Sequence, residues 1–151
     1  RGLGDVYKRQ VGRHTEYTDK IERFIKENKL EERVHIISNV PFDDLPAFYQ
    51  LAEIFVYPSR FEGFGIPIIE ALYSGIPVVA ATGSCLEEAG GPDSIYVHPD
   101  DIKGMANAFK QIYSDTERKK EMIEKGQKFA KRFSEEKQAE EILNIYKKLM
   151  K

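Results

Sequence analysis

Cysteine is almost missing from this chain of 151 residues; Cys85 stands alone. An internal disulfide and a cysteine-based zinc site are thereby excluded, and a single thiol fits a reducing compartment. An excess of one charge is lacking too. The 23 Lys and Arg face 25 Asp and Glu, a net charge of -2, so the balance gives no reason to expect a nucleic-acid partner. No apolar run approaches the roughly 20 residues that cross a bilayer, and the opening residues lack the pattern of a signal peptide. No Asp-x-Asp pair occurs, and His14, His35 and His98 are scattered without ligand spacing. No metal is therefore expected. The acidic pairs Asp43-Asp44 and Asp100-Asp101 read instead as helix caps, and His35 reads as structural.

What is present suits one globular domain. Hydrophobic residues make up 41% and charged residues 32%, and the length suffices for a sizeable core without staples. The first ten residues stand apart. Asp5 to Gln10 resembles the translated end of a transposon-type sequencing adaptor. The expectation is that residues 1–10 are not native, that native sequence starts near Val11, and that the gene is truncated upstream. The alternative is a native basic start to a strand.

From Val11 onward strands and helices alternate. Val11 to Arg13 reads as the end of a strand and a turn. Ile21, Phe24, Ile25 and Leu30 give helical spacing over Thr18 to Asn28, with Thr18 or Asp19 as cap. Val34 to Ile37 is a β-branched strand. Phe42 to Ala52 reads as a helix with Leu45, Phe48, Tyr49 and Ala52 on one face and Pro46 in its first turn. Ile54 to Tyr57 is a continuous apolar strand, which reads as buried on both faces. A helix from about Gly65 to Tyr73, ended by Gly75, precedes a second buried strand at Pro77 to Ala81. Leu86 to Ala89 forms one helical turn and Ser94 to Val97 a last strand. Asp100 or Asp101 caps a helix carrying Ile102, Met105, Ala106, Phe109, Ile112 and Tyr113. Charged amphipathic helices at Thr116 to Arg132 and Ser134 to Met150 complete the chain. This alternation predicts an α/β fold, a Rossmann-like doubly wound parallel sheet followed by helices. In such folds ligands bind beyond the carboxyl ends of strands, here the loops Ser59 to Gly65 and Thr82 to Gly91.

The chain is organised around Glu62-Gly63-Phe64-Gly65-Ile66-Pro67-Ile68-Ile69-Glu70. Gly63 and Gly65 allow unusual backbone angles and close approach to a ligand. The helix that starts at Gly65 offers unpaired N–H groups and a partial positive charge, a ready site for phosphate. Glu62 sits at its mouth. Glu70 lies in an apolar stretch, where a carboxylate needs a partner; two neighbouring hydroxyls of a ribose would satisfy it. The bland reading stands beside this one: a Gly-x-Gly before a helix is ordinary turn chemistry, and a Glu in a short helix is commonly just solvated.

The segment from Pro58 to Ala71 resembles the signature of retaining glycosyltransferases of family four, a GT-B group (glycosyl transferases group 1), including its Glu-x7-Glu spacing. Gly75 to Ala80, Val34 to Val40, the Leu45 to Ala52 helix, Ser84 to Gly91 and Tyr96 to Asp101 resemble the same family, so the likeness runs from about Val11 to Tyr113. It implies the carboxy-terminal, donor-binding half of a two-domain enzyme, truncated at its amino-terminal side: a partial donor-binding domain over 11–133 and a carboxy-terminal helix over 134–151. The parent would move a hexosyl group from a nucleoside-diphosphate sugar to a glycan or lipid-linked acceptor, with retention and without a metal or other cofactor. Glu62 would face the transferred sugar at the reaction centre. Backbone N–H groups around Gly63, Phe64, Gly65 and Ile66 would hold sugar hydroxyls and phosphate, Glu70 would bind the ribose, and Val40 would sit near the base.

The chain also departs from that pattern. The family's Arg and Lys diphosphate clamp lies on a first strand-helix unit that is absent here, and Arg13 does not replace it. Glu87 stands before Glu88 where the family often has Pro. The acceptor-binding amino-terminal domain is missing. The expectation is therefore a donor half-site with weakened diphosphate binding and no turnover alone. A GT-B-like nucleotide-sugar epimerase and a non-catalytic nucleotide-sugar binding module are the alternatives. A cytoplasmic location follows from the resemblance. Eleven Lys and Arg against seven Glu in Thr116 to Lys151 leave room for weak association with the inner membrane surface.

Overall fold

A computed structural model describes residues 7–150. Of the stretch expected to be non-native, residues 1–6 lie outside the described residues, and Lys8, Arg9 and Gln10 belong to the first strand. The chain divides into two compact units at Leu45 and Pro46.

The first unit pairs β1 (Lys8–Val11) in parallel with β2 (Val34–Ile37), Val11 opposite Ile37. The crossover between them is α1 (Glu16–Glu27), as a parallel pair requires. The helix starts a turn earlier than the periodicity places it. Thr15 is the N-cap, and its N–H donates to Thr18 Oγ1 at 2.9 Å. Thr18 is thus the third helical residue, a capping-box position, rather than the cap. Ile25 is buried while Phe24 is exposed, so the inward stripe is narrower than the apolar spacing implies.

The second unit holds three parallel strands in sequence order: β3 (Phe55–Tyr57), β4 (Val78–Ala81) and β5 (Ile95–Val97). The helix expected over Phe42 to Ala52 is a 3-10 turn, Phe42–Asp44, followed by the shorter α2 (Leu45–Gln50). Parallel strands with flanking helices follow the expected class, but the hydrogen bonding is shared between two sheets.

Position in the sheet decides burial. β4 is central and every residue in it is buried. β3 is an edge strand and only half-buried, which corrects the expectation of burial on both faces. Residues of β4 feed two cores, Val79 one of them and its neighbours Val78 and Ala80 the other. Val78 and Ala80 pack with Ile68, Ala71 and Leu72 of α3 (Ile66–Tyr73) and with Leu86 and Ala89 of α4 (Leu86–Gly90). Val79 packs with Ala108 and Ile112 of α5 (Ile102–Ser114) and Met122 of α6 (Thr116–Ala130). Of the apolar residues that α5 carries, Ala108 and Ile112 are buried while Ile102, Ala106 and Tyr113 are exposed. Helix α3 closes as a Schellman motif. Gly75 takes φ +74°, Gly75 N–H reaches Leu72 O at 3.1 Å, and Ile76 N–H reaches Ala71 O at 3.1 Å.

The last helix, α7 (Glu135–Leu149), is capped by Ser134, whose hydroxyl accepts from Lys137 N–H. It has no buried residue, and Ile142, Leu143, Ile145, Tyr146 and Leu149 are exposed.

Candidate functional site

Because β3, β4 and β5 are parallel, the loops after Tyr57, Ala81 and Val97 leave the same end of the sheet. The residues of the Glu62 to Glu70 stretch collect there. Glu62 and Glu70 are both half-buried, and each carboxylate has a phenol on it. Tyr57 Oη donates to Glu62 Oε1 at 2.9 Å. Tyr49 Oη donates to Glu70 Oε2 at 2.8 Å. Burial, and then the hydrogen bond and charge of the facing carboxylate, push Tyr57 up to about 12 and Tyr49 well above the ordinary phenol range. Both hydroxyls thus hold their protons to higher pH than an ordinary phenol does.

The glycines divide. Gly65 is the N-cap of α3 at φ +104°, ψ +39°. A Cβ there would lie 3.0 Å from Leu86 Cδ2 and 3.3 Å from Ala89 Cβ, so both the backbone angle and the close packing against α4 demand glycine. Gly63 needs neither. It lacks a positive φ, and a Cβ on it would meet nothing within 4 Å. The unusual backbone angle expected at Gly63 is therefore not found.

Donors at the start of α3 are few. Pro67 has no N–H, and Ile68 N–H is used on Gly65 O at 2.9 Å. Helix geometry leaves over the N–H groups of Gly65 and Ile66. The Ile66 side chain points into solvent at 61% exposure, so its contribution to a site is its backbone. Phe64 packs edge-on against Phe133 at 5.6 Å, which fixes the loop to the 3-10 turn Lys131–Phe133 that follows α6. Val40 lies in the first unit, half-buried in the loop after β2, next to Asn39 at φ +59°.

Sequence reasoning missed the residues that hold this loop. Asp101 caps α5 as expected, accepting from Gly104 N–H at 2.8 Å. Asp100 does something else: it receives the guanidinium of Arg60, Nη1 to Oδ2 at 3.1 Å. The Cys85 thiol donates to the Glu62 carbonyl at 3.2 Å. Tyr49 and Tyr57 fell on apolar helix and strand faces and were counted as core. Their signal was present only as a polar tip on an aromatic body, which must find a partner when buried. His14, read as one of three scattered histidines without ligand spacing, sits with its Nε2 3.3 Å from Asp19 Oδ1 and 4.0 Å from Glu22 Oε1, all three exposed on the first unit.

The family model described as "Glycosyl transferases group 1" matches residues 11–129. The chain belongs to the group 1 glycosyl transferases. Its relatives include O-antigen chain mannosyltransferase B of Escherichia coli, 33% identical over 131 residues, covering 87% of this chain and 34% of the relative. O-antigen chain mannosyltransferase RfbU of Salmonella typhimurium is 36% identical over 98 residues, covering 65% of this chain and 28% of the relative. This glycosyl transferase chain thus spans about a third of the length of the curated relatives it matches. Among solved structures, sucrose-phosphate synthase of Thermosynechococcus elongatus superposes with a TM-score of 0.82 at 26% identity, over 94% of this chain and 38% of that one. HepE of Anabaena, solved with UDP, gives 0.87 at 23% identity, over 96% and 42%. The fold of this glycosyl transferase is the Rossmann-like layer of the GT-B enzymes.

Proposed function

We propose that this chain is the donor-binding part of a retaining, family-four sugar transferase. Its parent moves a hexosyl group from a nucleoside-diphosphate sugar to a glycan or lipid-linked acceptor. The observation that carries the reading is the pair of half-buried carboxylates, Glu62 and Glu70, on either side of the α3 start. Glu70 serves the ribose hydroxyls, the N–H groups of Gly65 and Ile66 serve phosphate and sugar, and Glu62 faces the anomeric carbon. Positive charge develops on that carbon as its bond to the phosphate oxygen breaks, and negative charge develops on the leaving phosphate. A fixed carboxylate near the first and a helix N-terminus near the second lower the barrier by electrostatic preorganisation. Loss of Glu62 in the parent is expected to cost about 3 kcal/mol of barrier, on the order of one preorganised group.

In this reading the acceptor is held by a further domain of a longer polypeptide, and the chain alone binds donor without turnover. It works from the cytoplasm, at most peripherally at the membrane. The names of two relatives put mannose among the first sugars to test. The experiment is calorimetric titration of the purified chain with UDP, GDP and their hexose conjugates, with and without EDTA. Saturable binding that EDTA leaves unchanged and that Glu70→Ala weakens supports the reading. Equal affinity of Glu70→Ala and the unmodified chain removes Glu70 from the ribose, and in the parent full activity of Glu62→Ala removes Glu62 from the reaction centre.

A further inference from the structure

We infer that Tyr49 and Tyr57 are positioning residues of the donor site, each presenting one acid to a different part of the ligand. The inference rests on the roles given above to Glu62 and Glu70. A glutamate carboxylate on its own rotates freely, and a ligand that captures it must order it. Here the ordering is already done. Tyr57 engages Oε1 of Glu62 and Tyr49 engages Oε2 of Glu70, which leaves the second oxygen of each acid as an aimed acceptor.

The two phenols are themselves fixed relative to one another. Phe55 and Tyr57 share one face of β3 by strand alternation; their rings stack at 5.8 Å and 18°. Phe55 also meets Tyr49 of α2, ring centroids 5.5 Å apart and tilted by 50°. An aromatic ladder, Tyr49, Phe55, Tyr57, therefore spans the distance between the two acids on rigid elements. Neutral phenols do this without cancelling the charge of the carboxylates, as a lysine or arginine would. A phenol hydroxyl donates and a carboxylate oxygen accepts, so each hydrogen bond has a fixed direction.

The division of labour gives a signature that packing alone does not. Tyr49→Phe and Tyr57→Phe keep the rings and remove only the hydroxyls. The unmodified chain and both variants are titrated with UDP and UDP-glucose and with GDP and GDP-mannose. For whichever pair the unmodified chain binds, Tyr49→Phe is expected to weaken both members by the same factor, about tenfold, the lower end of what loss of an orienting partner costs a metal ligand. Tyr57→Phe is expected to leave the nucleoside diphosphate unchanged and to weaken only the sugar conjugate, by a similar factor.

Unchanged binding in both variants overturns the inference, as does an equal loss on both ligands in both variants. If instead the unmodified chain and Glu70→Ala bind alike, the reading of the site fails first. Binding of neither pair by the unmodified chain overturns both. A ligand-free measurement stands behind these. Absorbance titration of the tyrosines in Glu70→Ala is expected to return one late-ionising phenol toward the ordinary range; an unchanged titration removes the brace.

Discussion

Arg60 and Asp100, forty positions apart, are joined side chain to side chain, with Arg60 Nη1 3.1 Å from Asp100 Oδ2. The bond ties the loop that carries Glu62 to the loop that follows β5. The hydrogen bond and charge of Arg60 hold the Asp100 carboxyl below its ordinary value of 3.8. A depressed carboxylate contributes above the ordinary value and is lost as pH falls through the depressed one. The tether is therefore expected to persist at pH 4, where an unpaired aspartate is already partly protonated. Carboxyl-carbon NMR titration checks this. Both partners are exposed, so Asp100→Asn is expected to leave the thermal midpoint nearly unchanged while loosening the loop. A few-fold loss of donor affinity, shrinking with added salt, is the expected result.

Gly65 and Gly63 make a matched pair of tests. Gly65→Ala places a side chain at φ +104° and against Leu86. A destabilisation of about 2 kcal/mol or more is expected, from backbone strain and crowding together. Gly63→Ala, in open space, is expected to stay within about 0.5 kcal/mol of the parent chain. Urea unfolding of the two variants reads the difference directly, and equal costs would contradict the geometry described for the loop.

Alkaline pH acts on Tyr57. Its folded value of about 12 lies above the ordinary 10, through burial and then the Glu62 carboxylate. The native state thus holds a proton that the unfolded chain has released. Stability from this group is full below pH 10 and is lost as pH rises from 10 toward 12. Glu62→Gln is expected to bring the Tyr57 transition earlier, read by phenolate absorbance.

The division between what the chain's pattern discloses and what it hides follows the range of each interaction. Glu62, Gly65 and Glu70 are legible because their meaning is local: a strand end, a helix start and a carboxylate among isoleucines. The strands and the caps Asp101 and Ser134 are legible for the same reason. Tyr49 is 21 positions from Glu70 and Cys85 is 23 from Glu62. No periodicity links such pairs, and helical or strand spacing assigns each to the core on its own. The start of α1 is hidden because Thr15 precedes Ile21, the first residue of the apolar stripe, by more than one and a half turns. The half-burial of β3 was hidden because a run of apolar residues reads the same in a central strand as at an edge.

The separate standing of α7 is testable too. With no buried residue in it, removal of residues 134–151 is expected to change the unfolding free energy of the remainder by less than about 1 kcal/mol, as for exposed substitutions. A larger loss by chemical unfolding would mean that α7 packs against the rest in solution.

The tyrosine ladder has one more consequence. The chain has no tryptophan and eight tyrosines, so tyrosine supplies its near-ultraviolet signal. Two of the eight are hydrogen-bonded to the acids that a sugar and a ribose would reach. Any ligand that draws on those acids alters the surroundings of those phenols. The molecule thereby carries its own unlabelled optical gauge of occupancy, built from the same groups that aim the carboxylates.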